Sequence, residues 1–197
     1  MRRFALIAFA LCALSLEAAA QKYPTKPIHI IVPYQAGGTS EVMARAVGDQ
    51  LTAAWKQPVV IENRPGGGTT IGAAAVAQAP ADGYMLFVNA SSFLINAQLM
   101  SKLSYDPQKD FVPVTLAASN PHALVVFPGL GIANLREFIS VAKAKGKAMS
   151  YASFGNGSSG HLAFELLKRT YGFEMVHVPY KGVPQAMTDV MGGQVQA

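Results

Sequence analysis

From Ile28 onward, short runs of β-branched residues alternate with longer stretches of helical periodicity, and few folds accommodate that alternation. Two parallel strands need a crossover of a dozen or more residues between them, normally a helix, so the pattern predicts βαβ units and a largely parallel α/β sheet. Strands are expected at Ile28–Val32, Val59–Glu62, Tyr84–Val88, Val112–Leu116, Ala123–Phe127, Met149–Ala152 and Met175–Val178. Helices are expected at Ser40–Trp55, Thr70–Gln78, Ser92–Lys102, Ser159–Tyr171 and Pro184–Met191. In the first of these Met43, Val47, Leu51 and Ala54 fall on one face. Asn134-Leu135-Arg136-Glu137 carries the N-cap and N3 residues of a capping box and opens a further helix to Lys145, whose lysine-rich end suits the macrodipole. Around Ser119-Asn120-Pro121-His122 one strand-like run follows another with no helix between. We read that break as the crossing from one lobe, residues 21–121, to a second, residues 122–197.

Residues 1–20 read as an address rather than as structure. Met1-Arg2-Arg3 is a positive start, Phe4 to Leu16 is an apolar run short for a bilayer span, and Ala18-Ala19-Ala20 offers small residues for cleavage after Ala20. Cys12, the single cysteine, lacks a small residue just before it and so does not read as a lipoprotein site. Export to a bacterial periplasm is the expectation, and the mature chain has no thiol for a disulfide, a metal or a nucleophile. With 51% hydrophobic and 14% charged residues, the chain is neither disordered nor collagen-like. Its net charge of +5 is scattered singly, without the basic stripe and interleaved aromatics of a nucleic-acid binder.

Three loops share one design: a strand ends, Gly, Ser, Thr or Asn residues follow, and a helix begins. They are Gln35-Ala36-Gly37-Gly38-Thr39-Ser40, Asn89-Ala90-Ser91-Ser92 and Ser153-Phe154-Gly155-Asn156-Gly157-Ser158-Ser159. The first N–H groups of a helix lack intrahelical partners and carry partial positive charge, so such loops hold an anion without a charged side chain. The candidate ligand contacts are Gly37, Gly38, Thr39, Ser40, Asn89, Ser91, Ser92, Ser153, Gly155, Asn156, Ser158 and His161. Turn-making and helix capping are the plain alternative for any single loop. Arg64-Pro65-Gly66-Gly67-Gly68-Thr69-Thr70 is a fourth candidate, able to form a backbone nest but matching no nucleotide-phosphate motif.

Catalytic and metal signatures are weaker. Asn156-Gly157-Ser158-Ser159-Gly160 fails the GxSxG elbow in both registers. His29, His122, His161 and His177 are too far apart for a helical metal pair, and three of them lie in or beside expected strands, as satisfied or surface histidines do. Asp82-Gly83 and Asp106-Pro107 read as turns, and Lys181 follows Val178-Pro179-Tyr180 where it either borders a cleft or is simply solvated.

Ordered motifs then carry a resemblance. Tyr23-Pro-Thr-Lys-Pro-Ile28, Val32-Pro-Tyr-Gln-Ala-Gly-Gly38 with Ala44-Arg45 beyond it, Val60-Ile-Glu-Asn-Arg-Pro-Gly66, Ala81-Asp-Gly-Tyr84, Tyr105-Asp-Pro107, Asp110-Phe111 and His177-Val-Pro-Tyr-Lys-Gly182 follow one another as in the Bug (TctC-like) family. Glu41 departs from the usual Asp, keeping the charge on a longer arm, and Ala36 stands where Pro is common. The resemblance implies a type II periplasmic-binding-protein fold: two doubly wound lobes, a Venus flytrap, holding a small carboxylate between them through the loops matching Gly37–Ser40, Asn89–Ser92 and Ser153–Ser158. It implies a solute-binding protein that serves the permease subunits of a tripartite tricarboxylate transporter as a monomer, without a cofactor and without catalysis. The alternatives are an extracytoplasmic sensor component and, more remotely, a secreted esterase. The end of the sequence, Gly192-Gly193-Gln194-Val195-Gln196-Ala197, leads from a helical pattern into what looks like a strand, and on this reading the chain is truncated inside the second lobe.

Overall fold

Ile28, Ile30, Ile31 and Val32 are between 0% and 1% exposed, the burial of a strand covered on both faces. They form β1 (Ile28–Val32) in the computed structural model, which describes residues 22–197. The expected leader and its cleavage site after Ala20 lie outside the described residues. The order that follows is α1 (Thr39–Trp55), β2 (Val59–Asn63), α2 (Thr70–Ala77), β3 (Met85–Phe87), α3 (Ser92–Leu99), α4 (Leu135–Lys145), β4 (Ser150–Ser153), α5 (Ser159–Tyr171), β5 (Val176–Pro179) and α6 (Val183–Met191), with short 3-10 turns before α2, α4 and β4.

Two parallel sheets result. In the first, the order is β2-β1-β3, with Ile28 opposite Val59 and His29 opposite Met85. In the second, β4 pairs with β5 from Ser150 opposite Val176 to Ser153 opposite Pro179. The other edge of β4 is taken up by the residues expected to become a strand: the Gln196 N–H donates to the Ser150 carbonyl at 3.0 Å and the Ala152 N–H to the Ala197 carbonyl at 2.7 Å. Phe127 N–H in turn donates to the Gln196 carbonyl at 3.0 Å.

The core of the second sheet gathers Phe138, Ala142, Met149, Tyr151, Phe164, Phe173 and Met175, whereas Ile30, Val32, Tyr34 and Ala44 pack beneath the first. A smaller aromatic cluster joins Phe93 and Tyr105, stacked at 5.9 Å, to Phe87 and Phe111. α4 opens on the expected capping box. The Asn134 side chain accepts from Glu137 N–H at 3.0 Å, and the reciprocal half goes to the neighbouring Ala133 N–H, which donates to Glu137 Oε2 at 2.8 Å.

Three expectations are corrected. Neither Val112–Leu116 nor Ala123–Phe127 forms a strand: no helix or strand lies between Leu99 and the turn at Pro128. Val112, Val114 and Leu116 are 87%, 84% and 83% exposed, so β-branched side chains there meet no neighbouring ladder to satisfy the backbone. The inward face of α1 is also not the expected one. Val47 and Ala54 face solvent, and the buried positions are Glu41, Ala44 and Gly48, small enough at the last two to bring the helix against Val59 and Ile61. Finally, α3 stops at Leu99 rather than Lys102, because Met100 turns extended.

Candidate functional site

At the end of β1 the chain turns through Pro33–Gly38 into α1. Gly37 adopts φ +85, and Gly38 is the N-cap without a side-chain cap bond. Gly37 N–H is already committed, donating to Glu41 Oε2 at 2.5 Å, while Glu41 Oε1 receives Arg45 Nε at 2.8 Å. The longer arm of Glu41 thus makes the local capping contact. That N–H, followed by Arg45, holds its carboxyl below the usual carboxylate range. Thr39 and Ser40 open the helix with side chains free of hydrogen bonds among the described residues, Thr39 exposed and Ser40 partly so.

The loop after β3 divides in the same way. Asn89 and Ser91 are exposed, whereas Ser92 is buried with its hydroxyl 2.5 Å from that of Tyr34. Ser92 therefore ties two loops of the first sheet together. Between them, the fourth candidate, Arg64–Thr70, runs through positive φ at Gly66, Gly67, Gly68 and Thr69 and closes as a 3-10 turn over Gly67–Thr69. Thr69 is the unusual member, a β-branched residue at φ +87 whose buried hydroxyl has no partner among the described residues.

After β4, Ser153 is buried with its hydroxyl 2.7 Å from His177 Nε2, and it also receives Gly155 N–H at 3.3 Å. Ser158 is the N-cap of α5, accepting His161 N–H at 3.2 Å, so the capping alternative holds for that hydroxyl. His161 Nδ1 in turn accepts Gly157 N–H at 3.2 Å, and its ring stacks on that of His177 with centroids 4.0 Å apart. Asn156 is the exposed member of the loop.

The two sets of loops meet. Gln35 N–H donates to the Lys181 carbonyl at 3.2 Å, and Gly37 lies against the Pro184 ring. Lys181 contributes its backbone there, and its side chain is exposed. Asn96, one turn into α3 and 2% exposed, donates through Nδ2 to the Gly68 carbonyl while its Oδ1 abuts Gly157. Sequence reasoning passed over Asn96, which reads as an ordinary polar helix residue. Its position one turn after Ser92 is the signal that places both on the same helix face. Tyr34 and His177 were likewise not expected to hold loop hydroxyls.

Among the described residues no group of three or more His, Cys, Asp or Glu is arranged to hold a metal ion, and no helix is long and apolar enough to cross a membrane. Residues 43–197 match the profile of the tripartite tricarboxylate transporter family receptor, TctC. The chain belongs to the TctC family. TctC relatives include BugT of Bordetella pertussis, 36% identical over 97% of this chain and 59% of its own length. A UPF0065 protein of Bordetella bronchiseptica is 40% identical over 99% of this chain and 58% of its own. Similar solved structures are R. palustris Rpa4515 with adipate (TM-score 0.85, 34% identity, 88% of this chain and 58% of that one) and MatC from Rhodopseudomonas palustris with bound malate (TM-score 0.81, 31%, 88% and 60%). BugD, a periplasmic binding protein, aligns with a TM-score of 0.77 at 30% identity. The fold is thus the α/β fold of the TctC periplasmic binding proteins, a family of substrate-binding proteins rather than enzymes. This chain spans about 59% of the length of the curated relatives it matches.

Proposed function

We propose that the protein is a periplasmic solute-binding protein that takes a small carboxylate between the loops of its two sheets and delivers it to a tripartite tricarboxylate-type permease. The observation that supports this best is the meeting of loops from both sheets, Gln35 on Lys181 and Asn96 on Gly157. A ligand touching both sides favours the closed arrangement by its differential affinity. On this reading Gly38, Thr39, Ser40, Asn89, Ser91 and Asn156 offer the ligand N–H groups, hydroxyls and two amides. Gly37, Ser92, Ser153, Gly155, Ser158 and His161 hold the loops in shape through the bonds described above. The adipate in Rpa4515 and the malate in MatC favour a dicarboxylate. Residues 21–121 and 122–197 belong to the two lobes, residues 1–20 are removed on export, and the protein works as a monomer with no cofactor.

Thermal denaturation with adipate, malate, citrate, acidic amino acids and aromatic acids tests this. A true ligand at about a hundredfold excess over its dissociation constant stabilises the fold by about 2.7 kcal/mol. A melt unmoved by every carboxylate in that set overturns the carboxylate reading, and failure to recover a permease subunit from membranes after crosslinking overturns the delivery reading.

A further inference from the structure

The loop between β4 and α5 is held by two histidines from different elements, and one of them is held in a defined protonation state by geometry alone. Gly157 N–H only donates, so the His161 Nδ1 it meets at 3.2 Å carries a lone pair. The neutral ring then keeps its proton on Nε2. An imidazolium has N–H at both positions, so protonating His161 sets one N–H against another and breaks this contact. His161 also stands in the first turn of α5, where the helix dipole opposes a positive charge. Its ring lies on that of His177, centroids 4.0 Å apart and planes 11° apart, so a second positive charge is opposed by the first. On its other side His177 Nε2 meets Ser153 Oγ at 2.7 Å; that hydroxyl donates to the Gly155 carbonyl at 3.1 Å and receives Gly155 N–H at 3.3 Å, so the ring is the donor, a role that it keeps when protonated.

The two rings therefore grip the loop at Gly155 and at Gly157. Charged or titratable groups also face the pair. Tyr151 of β4 stacks on His177 at 4.9 Å, and its hydroxyl donates to Glu165 of α5 at 2.5 Å. Lys168 of α5 pairs with Glu165 at 2.8 Å and lies 3.8 Å from Glu174. His122 stacks on Phe154 within the loop at 5.9 Å, and beyond β5 Tyr180 donates to Asp189 of α6 at 2.6 Å. The one carboxylate near the pair, Glu165, is thus already engaged by a phenol and an ammonium.

We infer that His161, stacked on His177, positions the Ser153–Ser158 loop only while its ring is neutral, and that a proton on His161 releases Gly157 and lowers carboxylate affinity. The inference rests on the proposed function for its second half, the link to affinity. Burial, with His161 next in size, lowers His177 to about 4, so His177 keeps its neutral ring against His161 well below neutral pH. Both histidines act through the loop and are positioning residues.

The test uses the full chain, first without ligand. Backbone amide and imidazole resonances are followed from about pH 8 to about pH 5, through the range in which an imidazole takes up its proton. The Gly157 amide is expected to move with the same midpoint as the His161 ring, and to stop titrating in His161→Gln. Adipate and malate binding is then measured at both ends of the range. The wild type is expected to lose about tenfold more affinity on acidification than His161→Gln, which replaces the ring with an uncharged amide, whereas His177→Gln keeps His161 and is expected to lose as much as the wild type. The ligand's own protonation is common to all three proteins and cancels in that ratio. A Gly157 amide that ignores the His161 titration overturns the positioning role, even if adipate binds. Equal acid losses in wild type and His161→Gln overturn the link to affinity. If neither acid binds at about pH 8 while Gly157 still follows His161, the carboxylate reading fails, the affinity claim fails with it, and the positioning role stands.

Discussion

Glu41 does at Gly37 what a ligand carboxylate does at an open helix N-terminus: it accepts the N–H and is held there by a neighbouring cation. Because its folded pKa lies below the ordinary 4.5, the ionised form is favoured by folding. The stability it contributes is present above 4.5 and is lost as the pH falls through the lower folded value. Glu41→Gln is therefore expected to lower the Tm at neutral pH and to approach the wild-type Tm in acid, as read by calorimetry across that range. Asn96 and Gly157 make a second case. Gly157 sits at φ +69 against Asn96 Oδ1, so Gly157→Ala adds about 1 kcal/mol of left-handed strain and a collision. Asn96→Ala leaves the Gly68 carbonyl without its donor, at about 1–3 kcal/mol. In the double variant the collision is gone, and a denaturant-melt cycle is expected to give a total loss smaller than the sum of the two. At this scale the sequence carried the residue types but not their commitments. Ser92, Ser153 and Ser158 were legible as loop hydroxyls. That Ser92 and Ser153 already have partners depends on Tyr34 and His177, which are distant in sequence, whereas Ser158 caps its own helix through the nearby His161 N–H, the plain alternative for that loop.

Among the elements, the helices with strong local signals matched expectation best. Ser159–Tyr171 is a helix over those residues, and the Asn134 box caps α4. Asn134→Ala is expected to cost about 1 kcal/mol in a denaturant melt, with Glu137→Ala costing less, since only the Asn side chain serves a helical N–H. Where the sequence misled, tertiary context decided. Helical periodicity put Met43 and Val47 inward, but close packing of α1 on Val59 and Ile61 selects the small pair Ala44 and Gly48 instead. Val112–Leu116 has the composition of a strand and no adjacent strand to pair with among the described residues, and composition alone does not report pairing.

At the scale of the molecule, the break in alternation near residue 120 corresponds to a stretch without helix or strand that separates two parallel sheets, each with its own core. How those sheets face each other was not legible, because Gln35, Lys181, Asn96 and Gly157 carry no pattern linking them. One pH effect belongs to the whole fold. The folded His177 resists its proton down to about 4, whereas the unfolded chain accepts it near 6.5, so stability falls as the pH drops through that window and is unaffected by this group above it. Tm curves for wild type and His177→Gln are expected to keep a constant offset above 6.5, and the wild type to lose Tm relative to the variant as the pH falls from 6.5 to about 4.

The open side chains of the candidate loops are the hydroxyls of Thr39, Ser40 and Ser91 and the amides of Asn89 and Asn156, beside an exposed Lys181, with Arg45 occupied by Glu41. Peptide dipoles attract over a few ångströms, whereas a lysine or arginine draws an anion from a Debye length away. On the proposed reading an acid is drawn in by the net charge of +5 and the exposed Lys181, and the dipoles act only on contact. Its rate of capture is then expected to fall as ionic strength rises, whereas discrimination among acids falls to how long each one stays.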